Sequence, residues 1–364
     1  MSRTVLLTGA TGFLGMEVLA RLLERGDVEV LALVRGGDAD EAAARLDGVL
    51  RTLYDTPPAG MAQRVHALRG DATAEGLGLS DADRQEVVRR VDGVLHCAAS
   101  ISFDLPLADA REINTQGTRR ILELARDITS LRRLVHVSTA YVSGDYAGCF
   151  RESDLDVGQG FRNTYEQSKY ETEALLAEQA GDLPLAIARP SIVVGETATG
   201  WTPAFNVIYW PLQAFSRGLL DRVPASPDGR VDIVAVDYVA DALVHLLDSE
   251  EVRETVHLVA GAHAVRNSDL IELASAHFGR PQPHLVDPGE MPELEEANIY
   301  LPYFDVRAQF DDHRAREILE PQGIRPAPLG DYFGALLDYA SETRWGRRPI
   351  TRERAIAALE RRVA

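Results

Sequence analysis

Tyr165 and Lys169 stand four residues apart in the run Tyr165-Glu166-Gln167-Ser168-Lys169. On a helix, that spacing places both side chains on one face. An ammonium beside a phenol stabilises phenolate and lowers its pKa from ~10 toward working pH. Such a phenol gives a proton to a carbonyl oxygen as hydride arrives, or takes one in the reverse direction. A Tyr and a Lys at this spacing are common by themselves. Here they follow an apolar run, Arg133–Ser138, that continues into Thr139-Ala140-Tyr141-Val142-Ser143-Gly144. A hydroxyl at the end of that strand would donate a second hydrogen bond to the substrate oxygen.

A second cluster, Thr8-Gly9-Ala10-Thr11-Gly12-Phe13-Leu14-Gly15, has its glycines in a GxxGxxG pattern. The turn after a strand needs a residue without Cβ at Gly9. Gly12 allows backbone to approach a pyrophosphate, and Gly15 lets the next helix pack tightly on the strand. The helix N-terminus then offers free N–H groups to the anion. The next apolar run, Val30–Val34, ends in Arg35. An acidic residue there would bind the ribose hydroxyls of NAD, whereas a guanidinium suits the 2′-phosphate of NADP. Arg45 is a candidate second contact, and a solvated surface arginine is the plain alternative for both. Asp71 ends a third strand and either accepts from the adenine amino group or caps the turn Ala72-Thr73-Ala74. His96 reads as structural. Cys97-Ala98-Ala99 after it are small enough for a cofactor to lie on their backbone.

These residues need a scaffold that brings strand ends together. Strands are expected at Thr4–Thr8, Glu29–Val34, Val65–Arg69, Gly93–Cys97, Arg133–Ser138 and Leu185–Arg189. Helices are expected at Gly15–Glu24, Asp81–Arg90, Thr115–Arg126 and Tyr165–Gln179, with a helical stretch at Asp40–Arg51. This rhythm is that of βαβ units. It predicts an α/β fold with a Rossmann-type, doubly wound parallel sheet. After Gly195 the texture changes. Trp201–Phe215 is rich in aromatics and holds Pro203 and Pro211, Val231–Val236 reads as a strand, and Asp237–Leu247 as a helix. Further helices are expected at Ser268–Phe278, Asp312–Leu319, Leu329–Ser341 and Thr351–Arg362. The expected division is a dinucleotide-binding domain, residues 1–195 plus about 230–262, and a smaller, mainly helical C-terminal substrate lobe, 196–229 plus 263–364.

The 364 residues suffice for two such units. With 38 basic and 56 acidic residues the net charge is −18, which argues against a nucleic-acid binder. Two cysteines, Cys97 and Cys149, are too few for a disulfide scaffold or a CxxC metal site, and no metal is expected. A reduced, cytoplasmic location fits. The first residues lack the apolar region of a signal peptide, and no run approaches the ~18 apolar residues of a membrane span. The tail from Arg344 to Ala364 holds seven arginines against Glu353 and Glu360. It would suit an acidic carrier protein or coenzyme A phosphates. As a plain alternative it is a solvated helix with Ile356, Leu359 and Val363 packed inward.

Together these motifs resemble an extended short-chain dehydrogenase/reductase. The resemblance rests on Thr8–Gly15, Gly70-Asp71, His96–Ala99, Asn114-Thr115-Gln116-Gly117-Thr118, Val137–Gly144, Tyr165–Lys169 and Arg189-Pro190-Ser191. It implies Thr139, Tyr165 and Lys169 as the catalytic set, with Asn114, Ser138 and Ser143 structural. The cofactor-binding residues it carries over, with those read above, are Thr8, Gly9, Thr11, Gly12, Phe13, Leu14, Gly15, Arg35, Arg45, Asp71, Ala72, Ala98, Ala99, Lys169, Pro190 and Ser191. A narrower likeness, through Gly78-Leu79-Ser80, Ser138–Val142, Glu166–Lys169 and Arg189–Glu196 with Thr199-Gly200, is to the thioester reductases and fatty acyl-CoA reductases. That branch implies NADPH and reduction of an acyl thioester, either to an aldehyde or by a second step to a primary alcohol. The thioester would be on coenzyme A or on an acyl carrier protein supplied in trans. The alternatives are an NADP-dependent epimerase, dehydratase or hydroxy-group dehydrogenase, or a non-catalytic NADP-binding regulator on the same fold.

Overall fold

The computed structural model describes residues 3–226, 229–286 and 301–363. Residues 227–228, 287–300 and 364 of the expected lobe, and the side chains of Arg362 and Val363, lie outside that description. Seven strands form one sheet: β1 (Arg3–Thr8), β2 (Val28–Val34), β3 (Val65–Arg69), β4 (Gly93–His96), β5 (Arg133–Val137), β6 (Leu185–Pro190) and β7 (Thr255–Leu258). Their order is β7-β6-β5-β4-β1-β2-β3, and every neighbouring pair is parallel. The order reverses between β1 and β4, where Thr8 sits opposite His96. At such a switch point two connections leave in opposite directions and open a crevice beyond the strand ends.

The strands are almost continuously apolar because helices cover both faces. Val5, Leu6, Leu7, Val30, Leu31 and Ala32 are fully buried. On one face lie α1 (Phe13–Arg25), α2 (Ala39–Leu53) and α6 (Val236–Asp248), contributing Leu19, Leu22, Leu46, Leu243 and Leu246. On the other lie α3 (Asp81–Arg90), α4 (Gly117–Asp127) and α5 (Thr164–Gln179), contributing Val87, Ile121, Leu122 and Leu176. Caps set their starts. Asp38 accepts from the Glu41 N–H at 2.8 Å, Ser80 from Asp83 at 3.1 Å, and Asn163 from Glu166 at 3.0 Å. Gly26 ends α1 in the left-handed region.

A third core gathers Phe215, Leu270, Phe304, Phe333 and Leu336 of the C-terminal stretch with Tyr141, Val142 and Ile192. Its helices are Tyr209–Ser216, Asn267–Phe278 and α7 (Leu329–Glu342). Short strand pairs stitch it together: Gly148–Phe150 with Ala308–Phe310, and Arg222–Pro224 with His284–Val286. The last helix, α8 (Arg352–Val363), returns to the sheet domain. Arg352 is buried among Glu17, Glu24 and Glu196, and Arg354 pairs with Asp55. Two arginines of the basic tail are thus internal ion pairs.

Two expected elements differ. The strand Val231–Val236 is broken at Asp232 into Arg230–Val231 and Ile233–Ala235. The partner changes there, from Val265–Arg266 to Ile192–Val194, and the Asp232 carboxylate accepts from the N–H groups of Ala260 and Gly261 at 2.7 and 3.0 Å. The helix expected at Thr115–Arg126 begins earlier, at Leu107. It passes through a π-turn at Glu112–Gln116 before α4. The wider turn carries Asn114, which hydrogen-bonds the Ser100 backbone and Ser168.

Candidate active site

The glycine turn forms at the switch point. Gly9 has φ +76°, and a Cβ there would stand 2.7 Å from the Ala98 nitrogen. A Cβ on Gly15 would stand 2.1 Å from the Gly9 carbonyl oxygen. Helix α1 can therefore approach β1 only as backbone on backbone. Gly12 precedes α1 with no side chain capping the helix. Phe13, Leu14 and Gly15, whose N–H groups open the helix, line the adjoining cavity. That cradle fits the pyrophosphate of a nicotinamide dinucleotide.

The cavity has a volume of about 610 Å³ and runs along the strand ends. Gly9, Gly12, Phe13, Leu14, Gly15, Ala99, Lys169, Pro190 and Ser191 of the cofactor-binding candidates line it, as do Thr139 and Tyr165. Thr8, Thr11, Arg35, Arg45, Asp71, Ala72 and Ala98 are not among its lining residues. Thr8 is buried. Its hydroxyl bonds His96 Nδ1 at 2.7 Å and accepts from the Ala98 N–H at 3.1 Å, tying β1 to β4. Arg35 is exposed at the end of β2, and Arg45 donates to its carbonyl at 2.9 Å. Asp71 accepts from the Thr73 N–H and hydroxyl at 2.9 and 2.8 Å, which is its turn-capping role. The Ala72 carbonyl accepts from Arg120.

Tyr165 and Lys169 come from the start of α5, and Thr139 from the residue that caps the short helix after β5. The Lys169 ammonium donates to the Val137 carbonyl at 2.7 Å and lies 3.3 Å from His136 Nε2. Burial brings Lys169 down to about 8, opposed by the Glu173 carboxylate. Burial likewise pushes the Tyr165 phenol up to about 12, opposed by its hydrogen bond with Thr139. The Lys169 ammonium is turned to the Val137 carbonyl. The expected through-space stabilisation of phenolate is therefore outweighed by desolvation. A phenol held neutral at working pH suits proton donation.

His96 is structural, as expected. Thr118 gives its own proton to the Asn114 carbonyl, so it accepts from His96 Nε2–H, and Nδ1 accepts from Thr8. Burial holds His96 down to about 3. Sequence reasoning missed His136, Phe103 and Tyr303. Phe103 stacks on Tyr303 at 5.1 Å and tilts onto Tyr165 at 5.7 Å. His136 comes from β5, Phe103 from the bend after β4 and Tyr303 from a 3₁₀ turn at Leu301–Asp305, and nothing local in the sequence marks them. Val207 also lines the cavity, at φ +44°.

The aromatic run Trp201–Phe215 divides. Trp201 is fully buried and donates to the Ile350 carbonyl at 3.1 Å, while Phe205 stacks on Tyr339. Trp210, Pro211, Leu212 and Phe215 instead line a smaller apolar cavity of about 80 Å³, with Leu270 and Phe304. Val207 and Tyr303 line the large cavity, and their neighbours Ile208 and Phe304 the small one. No helix among the described residues is long and apolar enough to cross a membrane.

Residues 7–243 match the family model described as male sterility protein. A fatty acyl-CoA reductase of Drosophila melanogaster is 32% identical over 277 residues. That match takes in 66% of this chain and 53% of the relative, so the chain spans about half of that protein's length. A linear gramicidin synthase of Brevibacillus parabrevis is 33% identical over 280 residues, covering 74% of this chain and 5% of that one. Among solved structures, the terminal R domain of the myxalamid PKS-NRPS biosynthetic pathway aligns with a TM-score of 0.80. It is 27% identical, and the alignment covers 96% of this chain and 92% of that one. The glycine turn at the switch point, the clustered Thr139, Tyr165 and Lys169, and the match across 7–243 lead to one assignment: the chain belongs to the male sterility protein family, in the thioester reductase branch of the extended short-chain dehydrogenase/reductases.

Proposed function

We propose that the protein is an NADPH-dependent reductase of acyl thioesters. The observation that carries this reading is the meeting of Thr139, Tyr165 and Lys169 in one cavity with the Gly9–Gly15 turn. The apolar cavity of the lobe lies directly behind its wall. Its relatives' activities support the same reading. A reduced nicotinamide bound along the strand ends supplies hydride to the carbonyl carbon. Lys169 has a third N–H free of Val137 and His136 to hold the ribose. Tyr165 donates its proton to the carbonyl oxygen, and Thr139 gives that oxygen a second hydrogen bond. The product of this step is a hemithioacetal. It collapses by breaking the C–S bond, which yields an aldehyde and the free thiol. The aldehyde is the product of this two-electron reduction; a primary alcohol would require a second NADPH, whose hydride and a further proton reduce the aldehyde. Arg35 at the end of β2 supports NADPH over NADH. The thiol is that of coenzyme A or of a carrier protein acting in trans, and the apolar cavity takes the far end of the acyl chain.

The test follows NADPH absorbance together with a thiol-reactive dye, over acyl-CoA thioesters of increasing length and over acylated carrier proteins, with products identified by mass spectrometry. Matched NADPH loss and thiol release is the expected result. Turnover of sugar nucleotides or hydroxy compounds, with no thiol released from any thioester, would replace this reading by the epimerase or dehydrogenase one.

A further inference from the structure

Helix α5 breaks the usual rule for a packed helix. Apart from Leu175 and Leu176 near its end, the residues it buries are polar: Glu166, Ser168, Lys169, Thr172 and Glu173. Tyr165, Lys169 and Glu173 follow one another at intervals of four, so they run down that face one turn apart. Glu173 is buried to 2% exposure, and no apolar helix–sheet contact requires a carboxylate there. Its partners explain it. Arg189, equally buried, grips the carboxylate through Nε at 3.0 and 3.1 Å and Nη2 at 2.7 Å. Ser138 donates its hydroxyl to the same carboxylate. Each partner is the chain neighbour of a residue in the active cavity. Ser138 precedes Thr139, and Arg189 precedes Pro190, whose carbonyl accepts the Thr139 hydroxyl at 3.4 Å. Glu173 therefore ties the ends of β5 and β6 together beneath Thr139.

The same carboxylate also faces Lys169. Facing that ammonium are His96 and Cys97 from the end of β4, His136 from β5 and Glu173 from α5 itself, with Tyr165 lining the same cavity. Burial holds both histidines well down, and pushes the Cys97 thiol and the Tyr165 phenol up. All four are neutral near pH 7. Among the described residues, Glu173 is left as the negative charge that faces Lys169.

We propose that Glu173 is a positioning residue of the active site: gripped by Arg189, it fixes Ser138 beneath Thr139 and supplies the counter-charge that keeps Lys169 an ammonium. The proposal rests on the oxidoreductase reading of Thr139, Tyr165 and Lys169 for its consequence. Its physical content can be read without turnover, because Lys169 is the only lysine in the 364 residues. The other 37 of the 38 basic residues are arginines, which keep their charge at any working pH.

The experiment labels the full chain with lysine carrying ¹³Cε and ¹⁵Nζ, so that one side-chain signal reports Lys169, and titrates it by NMR. Glu173→Gln should lower its midpoint by about one pH unit or more, a tenfold or larger change in proton affinity. Glu173→Asp, which keeps the charge, should stay within about half a unit of wild type. In turnover, the activity of Glu173→Gln should be lost at correspondingly lower pH, while that of Glu173→Asp falls evenly across the pH range. Should Glu173→Gln fail to fold with Arg189 left unpaired, the double variant Glu173→Gln/Arg189→Gln removes the ion pair as a whole and is titrated instead. Its midpoint should lie below that of Arg189→Gln alone, a comparison that isolates the Glu173 charge. A Lys169 midpoint unchanged in the neutral variants overturns the proposal. Wild-type protein with the expected titration but no thioester turnover would overturn the thioester reading and leave the role of Glu173 standing.

Discussion

Gly15→Ala tests whether α1 is held against β1 by direct backbone contact. The added Cβ would meet the Gly9 carbonyl oxygen at 2.1 Å and its carbon at 2.7 Å. Ordinary contact begins near 3.4 Å, so helix and turn must part by about 1.3 Å. Neither obstacle is a side chain that can rotate away. Gly9 has little room to retreat either, because even a Cβ on it would stand 2.7 and 2.8 Å from backbone atoms of Ala98 and Cys97, just past β4. Overpacking of this kind costs about 1–3 kcal/mol. The displaced groups are the turn and the helix N–H groups that face the dinucleotide. The same distortion should therefore weaken NADPH binding roughly 10- to 100-fold. Gly48→Ala on α2 is the control: a Cβ there meets nothing within 4 Å, and the change should stabilise the fold by about 0.4–1 kcal/mol. Dinucleotide affinity is measured by calorimetry and stability by urea unfolding. Wild-type affinity and stability in Gly15→Ala would refute the argument that backbone contact sets this approach.

Three further outcomes follow from the same geometry. Tyr165→Phe should bind NADPH nearly as wild type yet turn over about 10²–10⁴-fold more slowly; single-turnover rates within about threefold of wild type would remove the phenol from the reaction. Arg35→Ala should erase most of the preference for NADPH over NADH, by roughly 10- to 150-fold, the value of a charge-assisted hydrogen bond at about 1.5–3 kcal/mol. An unchanged ratio of kcat/KM values would place the 2′-phosphate elsewhere. Arg352→Ala should destabilise the fold by about 3–5 kcal/mol, because it strips a partner from the fully buried Glu17. Burial raises Glu17 to about 7, with Arg352 the largest opposing influence. A carboxyl raised in the folded state favours folding at low pH, and that contribution is lost as pH rises from about 4.5 through about 7. Without Arg352 the carboxyl rises further, so the loss in urea-unfolding stability should be larger at pH 8 than at pH 6. Equal losses at both values would sink this assignment.

The sheet was legible from the chain itself. Short apolar runs alternating with amphipathic helices permit few topologies, since a parallel strand must be reached by a right-handed crossover. The glycine turn was legible for the same reason: a strand, three glycines and a helix start are all local. Tyr165 and Lys169 could be paired because helical spacing alone puts them on one face. Glu173 lay on that face too, one turn on, but its partners Arg189 and Ser138 arrive from other strands. Tertiary structure decided what spacing could not. It turned Lys169 toward the Val137 carbonyl and desolvated Tyr165, reversing the expected direction of the phenol's shift. It gave Asp71 to Thr73 and Arg352 to three carboxylates, and brought Phe103 and Tyr303 onto the site from segments some 200 residues apart. Elements form from contacts close in the chain, and their residues announce them. A side chain's charge state and partner depend on which distant groups exclude water from it, and only the packed fold sets that.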